Sequence, residues 1–261
     1  MKYLTVNKPE GSKEYDWADL TGDNVKVGGG YKHLVYQAGS NVQLVNMAEY
    51  CKSIIADGRE LITGNESGPL VVPELKDGNV FIIFKDDVTS FENAFETCAS
   101  LTTIPDNLFA DNPSATSFQL AFDYCTGLTT IPDNLFANNP KVVDFNGTFL
   151  NCRVLKIPEN LFANCPKVTD FSYTFHLCSN LTNVPNNLFD SNTEVTNFEG
   201  TFSGCTSLTG ESPYTMISDK KVHIYERSNY PEHFTTPIKH NTCFSYCAKL
   251  SDYAQIPSGW K

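Results

Sequence analysis

Four residues near the C-terminus have the types and spacing of a zinc set: His233, His240, Cys243 and Cys247. Imidazole and thiolate at short intervals are what a tetrahedral zinc centre uses. A second pattern claims three of them. Cys247 falls in a slot also held by Cys98, Cys125, Cys152, Cys178 and Cys205. His240 falls in a slot otherwise held by Phe, and Cys243 in a small-residue slot held by Ala94, Ala121, Thr148, Thr174 and Thr201. Periodicity accounts for the set without a metal, so neither metal nor cofactor is expected. Nucleophilic hydrolysis needs a Ser or Cys beside a positioned His, and none of the 5 His lies in a recognisable nucleophile motif. Gly28-Gly29-Gly30 lacks the following helix that a phosphate loop requires and reads as a turn. The carboxylates at Asp86-Asp87 and from Glu10 to Asp19 read as a solvated charged face. The chain is not expected to be an enzyme.

The 9 cysteines raise the question of disulfides. Five share one slot of a repeat, which stacks them at about the inter-strand spacing of 4.8 Å. Parallel side chains at that spacing face the wrong way for an unstrained bridge. They are expected to be buried thiols acting as small hydrophobes.

The element that positions these residues is the phrase Phe-x-x-x-Phe-x-x-Cys-x-x-Leu. It starts at Phe91, Phe118, Phe145, Phe171 and Phe198, in steps of 27, 27, 26 and 27 residues. A period of roughly 20–30 residues marks stacked repeats that bury their apolar faces only against neighbours. The expected columns include Phe95, Phe122, Phe149, Phe175 and Phe202, and Leu101, Leu128, Leu155, Leu181 and Leu208. Ile104, Ile131, Ile157 and Val184 form another. Leu-Thr-Thr-Ile-Pro reads as a short strand, and its Pro opens one helical turn. Val-Thr-Asp-Phe reads as a second strand, and Phe-x-x-x-Phe-x-x-Cys has helical spacing. The 26-residue repeat loses a residue inside its first strand, where a kink or bulge is expected. Asn112, Asn139 and Asn192, with Cys165 in the third repeat, form a column able to satisfy neighbouring backbone groups.

A sixth copy, Phe244 to Leu250, is displaced: Cys205 and Cys247 are 42 residues apart. The excess holds Lys220 to Thr236, with strand-like alternation from Val222 to Tyr225 and a turn at Tyr230-Pro231. Departures from a period are where repeat proteins place function. Tyr225, Arg227, Tyr230 and His233 are therefore candidate contact residues, set against the plain reading of a C-terminal cap. Thr102, Thr129 and Thr182 form a polar column that could present a ladder to a glycan or an extended protein, although strand propensity alone favours Thr there.

Residues 1–87 do not repeat. Asn41 to Ile55 carries apolar residues at helical spacing with Asn41 as N-cap, and strands are expected at Leu70–Pro73 and Asn79–Phe84. This segment reads as a mixed α/β cap or a domain docking the chain to a larger assembly. The remainder divides into repeats over 88–210 and an insertion, last repeat and cap over 211–261. The formal charge of −11 argues against nucleic acid, which needs a basic footprint. The longest strongly apolar run, Val80 to Phe84, is far short of the roughly 20 residues of a spanning helix, so no direct membrane insertion is expected. The N-terminus lacks a signal-peptide pattern.

The repeat phrase, followed by Ile-Pro and Val-Thr-x-Phe, resembles the BspA-type leucine-rich repeat of bacterial surface proteins and related repeats of mycoplasma-type surface lipoproteins. The resemblance covers about Val88 to Pro257. It implies an α+β leucine-rich-repeat solenoid of about six coils, with short strands and helical turns. It also implies adhesion to a protein or glycan partner at an extracellular or cell-surface location. Similar repeats in phage tail or fibre components imply an alternative, a structural or receptor-binding virion part docked through residues 1–87.

Overall fold

A computed structural model describes residues 31–57, 59–62 and 66–261, with the backbone of two short paired strands, β1 (Tyr3–Leu4) and β2 (Tyr15–Asp16). The Gly28–Gly30 turn and the rest of the Glu10 to Asp19 stretch lie outside the described residues. Seven strands follow: β3 (Lys32–Tyr36), β4 (Gly39–Val45), β5 (Cys51–Ala56), β6 (Arg59–Ile62), β7 (Leu70–Leu75), β8 (Asn79–Phe84) and β9 (Leu101–Thr103). Five of them form an antiparallel sheet in the order β6-β5-β8-β3-β9, and β4 pairs with β7. β8 reads Asn-Val-Phe-Ile-Ile-Phe, a run of β-branched and aromatic residues, and it takes the centre of the sheet. β9 belongs to the first repeat, so the sheet crosses the expected boundary at residue 87.

The helix expected over Asn41 to Ile55 does not form. Its place is taken by β4, a 3-10 turn at Ala48–Tyr50 and β5. Asn41 has φ 52 within β4 and caps nothing. The apolar residues suited either period. The antiparallel partners β7 and β8 decided between them by pairing the backbone across the sheet.

The expectation of an α+β leucine-rich-repeat solenoid is also overturned. The named strands lie in small antiparallel sheets. Helix among the described residues is confined to 3-10 segments at Ala48–Tyr50, Ile224–Asn229 and Ser258–Trp260. From the second repeat onward, single-residue parallel bridges replace the expected strands: Ser117 to Asp144, Asp144 to Asp170, Asp170 to Asn197 and Asn197 to Lys239. The Phe phrase is built of turns because two of its slots are left-handed. They hold Asn93 and Thr97, then Leu120 and Tyr124, Gly147 and Asn151, Tyr173 and Leu177, Gly200 and Gly204, and Thr242 and Tyr246, with φ between 53 and 80. A left-handed residue every fourth position cannot continue a right-handed helix. The three glycines in those slots also leave room for a neighbour. A Cβ on Gly200 would lie 2.5 Å from the Tyr173 ring, and one on Gly147 2.5 Å from Leu120.

The turns lie on one another as tiers. Alternate amides of the phrase donate to the next tier, as in Phe91 N–H to Ser117 O (2.9 Å), Asn93 to Gln119 (3.0 Å), Phe95 to Ala121 (2.8 Å) and Thr97 to Asp123 (2.7 Å). The intervening amides close turns within the tier, as in Cys98 N–H to Phe95 O at 3.0 Å. Rings from Phe95 through Phe122, Phe149, Phe175 and Phe202 to Phe244 stack nearly parallel with centroids 5.3–5.7 Å apart. Burying such a ring contributes about 1.5–3 kcal/mol, and each aromatic contact about 0.5–1.5 kcal/mol more. The nine cysteines are free and buried. Cys125, Cys152, Cys178, Cys205 and Cys247 do more than fill space: each points Sγ at the Phe carbonyl of the tier before, at 3.0–3.1 Å.

The short repeat corrects a column. Val154, fully buried, fills the slot expected for Leu155, and Leu155 is 46% exposed. Leu155 sits instead in the Thr column, donating its amide to Thr129 O at 3.1 Å and accepting from Thr182 N–H at 3.2 Å. The missing residue lies just after Cys152, one step earlier than expected.

The insertion forms a hairpin of β10 (Tyr214–Ile217) and β11 (Lys220–His223), followed by the 3-10 segment Ile224–Asn229. Ser218 and Asp219 have φ 46 and 65, the two left-handed positions of a type I′ turn.

Candidate recognition face

The candidates from the insertion divide sharply. Arg227 is 1% exposed. Its Nη1 donates to Asn192 O and its Nη2 to Phe189 O, both at 2.8 Å. The guanidinium lies over the Phe234 ring at 4.3 Å. Burial lowers its pKa to about 10, partly offset by Asp190. The reason Arg227 is inside is a column. Asn139 Nδ2 donates to Phe109 O and Asn112 O, Cys165 Sγ to Phe136 O and Asn139 O, and Asn192 Nδ2 to Phe162 O and Cys165 O. Arg227 does for the next pair of carbonyls what Asn and Cys165 do below it. It terminates this column and is not a surface anchor.

Tyr225 is half-buried, stacked on His223 at 5.0 Å, with its hydroxyl 3.4 Å from Asp252 Oδ2. Burial and then Asp252 raise its pKa. His223 faces three carboxylates: Glu211 at 3.2 Å, Glu226 at 3.0 Å and Asp252 at 3.6 Å. Ser212 also bonds Asp252. Together these contacts pin the hairpin to the last tier. Tyr230 ends the 3-10 segment, and its carbonyl accepts the His233 and Phe234 amides. Of the four, His233 alone is exposed, beside Glu232 at 3.7 Å.

The residues of the zinc pattern are not brought together, and no His, Cys, Asp and Glu group among the described residues is arranged to hold a metal. Cys243 and Cys247 are buried, while His240 stacks on Trp260 at 4.5 Å.

Thr102, Thr129 and Thr182 do share one column. The Thr102 hydroxyl donates to Val35 O at 3.0 Å and that of Thr182 to Leu155 O at 3.2 Å, so both serve the tier junctions. Thr129 is exposed and borders an open depression of about 410 Å³, floored by Ile131 and Ile157 with Asp133, Lys156 and Leu155 around it. A second depression of about 420 Å³ runs from Asn183 and Asn186 to Asp190, Tyr214 and Met216. Glu159 lines both, so the pair adjoins as a two-part groove across the tiers. The hairpin closes its far end. Tyr214 N–H donates to Asn186 O at 2.9 Å, Asn186 Nδ2 to the Tyr214 hydroxyl at 2.9 Å, and the Thr215 hydroxyl to Asp190 Oδ1 at 2.8 Å. Met216 stands 55% exposed there.

Leu155 and Met216 were missed from sequence. The one-residue deletion signalled Leu155, once the loss is placed after Cys152. β10 carried little signal because Ser-Asp replaces the Asn-Gly usual in a two-residue hairpin turn. No protein-family model matches this chain, and no curated protein matches it either.

Proposed function

We propose that this chain is a non-enzymatic recognition module that binds a protein or glycan partner along the groove from Thr129 to Met216. Its place at a bacterial cell surface rests on the resemblance of the repeat phrase. The observation that carries the reading is Leu155. It stands exposed in a column whose neighbours are Thr and lines one of two adjoining depressions, the other of which is lined by exposed Met216. An exposed apolar side chain beside a depression rimmed with polar groups offers a partner surface to desolvate, and Met is enriched in such interfaces. The amides of Asn183 and Asn186 and the carboxylates of Asp133 and Glu159 supply the polar contacts that fix register.

The test is binding of the intact chain to arrays of glycans and extracellular proteins, repeated with Leu155→Thr/Met216→Ser. Leu155→Thr restores the column residue, so the fold is kept. A partner should be found, and the double variant should weaken it about tenfold or more, the loss of a moderate hot spot. No partner on either array, or equal binding by the variant, overturns the reading.

A further inference from the structure

The two ends of the stack are finished unequally. At the first tier, the carbonyls that would face a preceding tier are taken by the N-terminal sheet and its turn. Asn46 N–H donates to Ala94 O at 2.9 Å, Gln43 Nε2 to Glu96 O at 2.9 Å and the Tyr50 hydroxyl to Glu92 O at 3.1 Å. At the last tier the outward groups are donors. The fifth tier shows the pattern: Phe198 donates to Lys239 O, Gly200 to Asn241 O, Phe202 to Cys243 O and Gly204 to Ser245 O, all at 2.8–3.0 Å. The equivalent amides of the last tier belong to His240, Thr242, Phe244 and Tyr246. Phe244 N–H is taken by Trp260 O at 2.8 Å, the C-terminal turn standing in for one position of a further tier. The amides of His240, Thr242 and Tyr246 bond no acceptor among the described residues.

Two further features sit on the same end. Tyr246 and Ile238 are 76% and 75% exposed, the two most exposed large apolar side chains among the described residues. In earlier tiers the side chain in the Tyr246 slot leans on the tier beyond, as Leu177 does over Gly204, where an added Cβ would lie 2.7 Å from Leu177 Cδ2. Tyr246 has nothing to lean on. The end is also basic in an otherwise acidic chain. Lys239, Lys249 and Lys261 belong to the last tier and the turn that covers it, and none forms an ion pair among the described residues, although the net charge is −11; Lys261 lies over the Tyr253 ring at 4.8 Å.

We propose that this end of the stack docks an extended, acidic segment of a partner polypeptide, whose main-chain carbonyls accept the open amides of Thr242 and Tyr246. Five junctions within the chain show what satisfies such amides: carbonyls at every second residue of a neighbouring backbone, so a partner that reaches Thr242 and Tyr246 presents carbonyls four residues apart, on either side of the Trp260 carbonyl that holds Phe244 N–H. Strand-like addition to an open edge uses the same bonds. Tyr246 and Ile238 supply the apolar contact, and the lysines select acidic side chains. This surface is separate from the groove and does not depend on it.

The experiment uses the whole chain and a synthetic peptide of alternating Glu and Leu, with an alternating Lys–Leu peptide as control. Affinity is followed by fluorescence anisotropy and amide exchange by NMR. The Glu–Leu peptide should bind, the Lys–Leu peptide should not, and exchange at Thr242 and Tyr246 should slow on binding. Ile238→Thr/Tyr246→Gly should weaken binding about tenfold, while the thermal midpoint holds or rises because Gly suits the φ of 63 at position 246. Leu155→Thr should leave it unchanged. Equal binding of both peptides, protection in the groove instead, or protection of these amides by self-association without peptide overturns the proposal.

Discussion

Asp123 shows what a repeat asks of one residue. Its slot holds Glu96 in the tier before and Leu150 in the tier after. Stacking leaves the Asp123 side chain 8% exposed, with Oδ1 buried and without a partner. Burial first, and Glu96 second, raise its pKa from the usual 3.8 to about 6, partly offset by the Tyr124 amide. A carboxyl held above its unfolded value binds its proton more tightly when folded. Its stabilising effect is therefore complete below pH 4 and is lost as pH rises through 6. Unfolding free energy from urea titrations should fall by about 1–2 kcal/mol from this group between pH 4 and 7, after allowing for solvent screening. In Asp123→Asn that part of the slope should vanish. An unchanged slope would remove Asp123 as its source. None of this was legible in the sequence, where Asp123 is one polar residue in a variable slot. The Phe and Cys columns were legible because identical residues recurred. The turn geometry between them was not. Phe91 and Phe95 at i, i+4 fit a helix as well as two turns, and the sign against a helix lay in Gly147, Gly200 and Gly204 recurring in slots that other tiers fill with Asn, Thr, Leu or Tyr.

Elements of this chain are finished by residues remote in sequence. The Asn112, Asn139, Cys165 and Asn192 column was readable as a device for neighbouring backbone groups: Asn112 bonds Lys85 O just after β8, and the other three bond the tier before them. Its last member was not readable. Arg227 lies 35 residues beyond Asn192, inside the insertion, and as a cation it suggests surface contact. Only the fold reveals that the hairpin delivers it to the open carbonyls of Phe189 and Asn192. Arg227→Met keeps the apolar contact with Phe234 and strips both bonds, leaving two buried acceptors. It should cost about 2–4 kcal/mol in urea unfolding, the range for losing charged hydrogen bonds from a buried site. Arg227→Lys should recover only part, since a point charge cannot span two carbonyls as the planar fork does. A loss under about 0.5 kcal/mol for Arg227→Met would mean that water replaces the guanidinium, and that the insertion is held by the His223 contacts and the Tyr214 and Thr215 bonds.

At the scale of the molecule, each tier rests on its neighbours, and the two ends differ in what covers them. The first tier joins a five-stranded sheet through β9 and is bonded by Asn46, Gln43 and Tyr50. The last has a single 3-10 turn, Ser258–Trp260, and open amides. Local opening follows the density of such contacts, so it should begin at the C-terminal end. The thiols report this, because they run the length of the stack from Cys98 to Cys247 and all are buried. Burial raises every one of the column thiols, and Cys178 and Cys247 are pushed up to about 12. At pH 8 a thiol inside the stack is thus both shielded and protonated, and reacts only after its tier opens. Alkylation under mildly denaturing conditions, read peptide by peptide by mass spectrometry, should label Cys243 and Cys247 about tenfold or more faster than Cys125 and Cys152. Arg227→Met, which loosens the same end, should widen that gap without speeding Cys98. Uniform labelling of all these sites would show a stack that opens as one body, in which the difference between the ends carries no energetic weight.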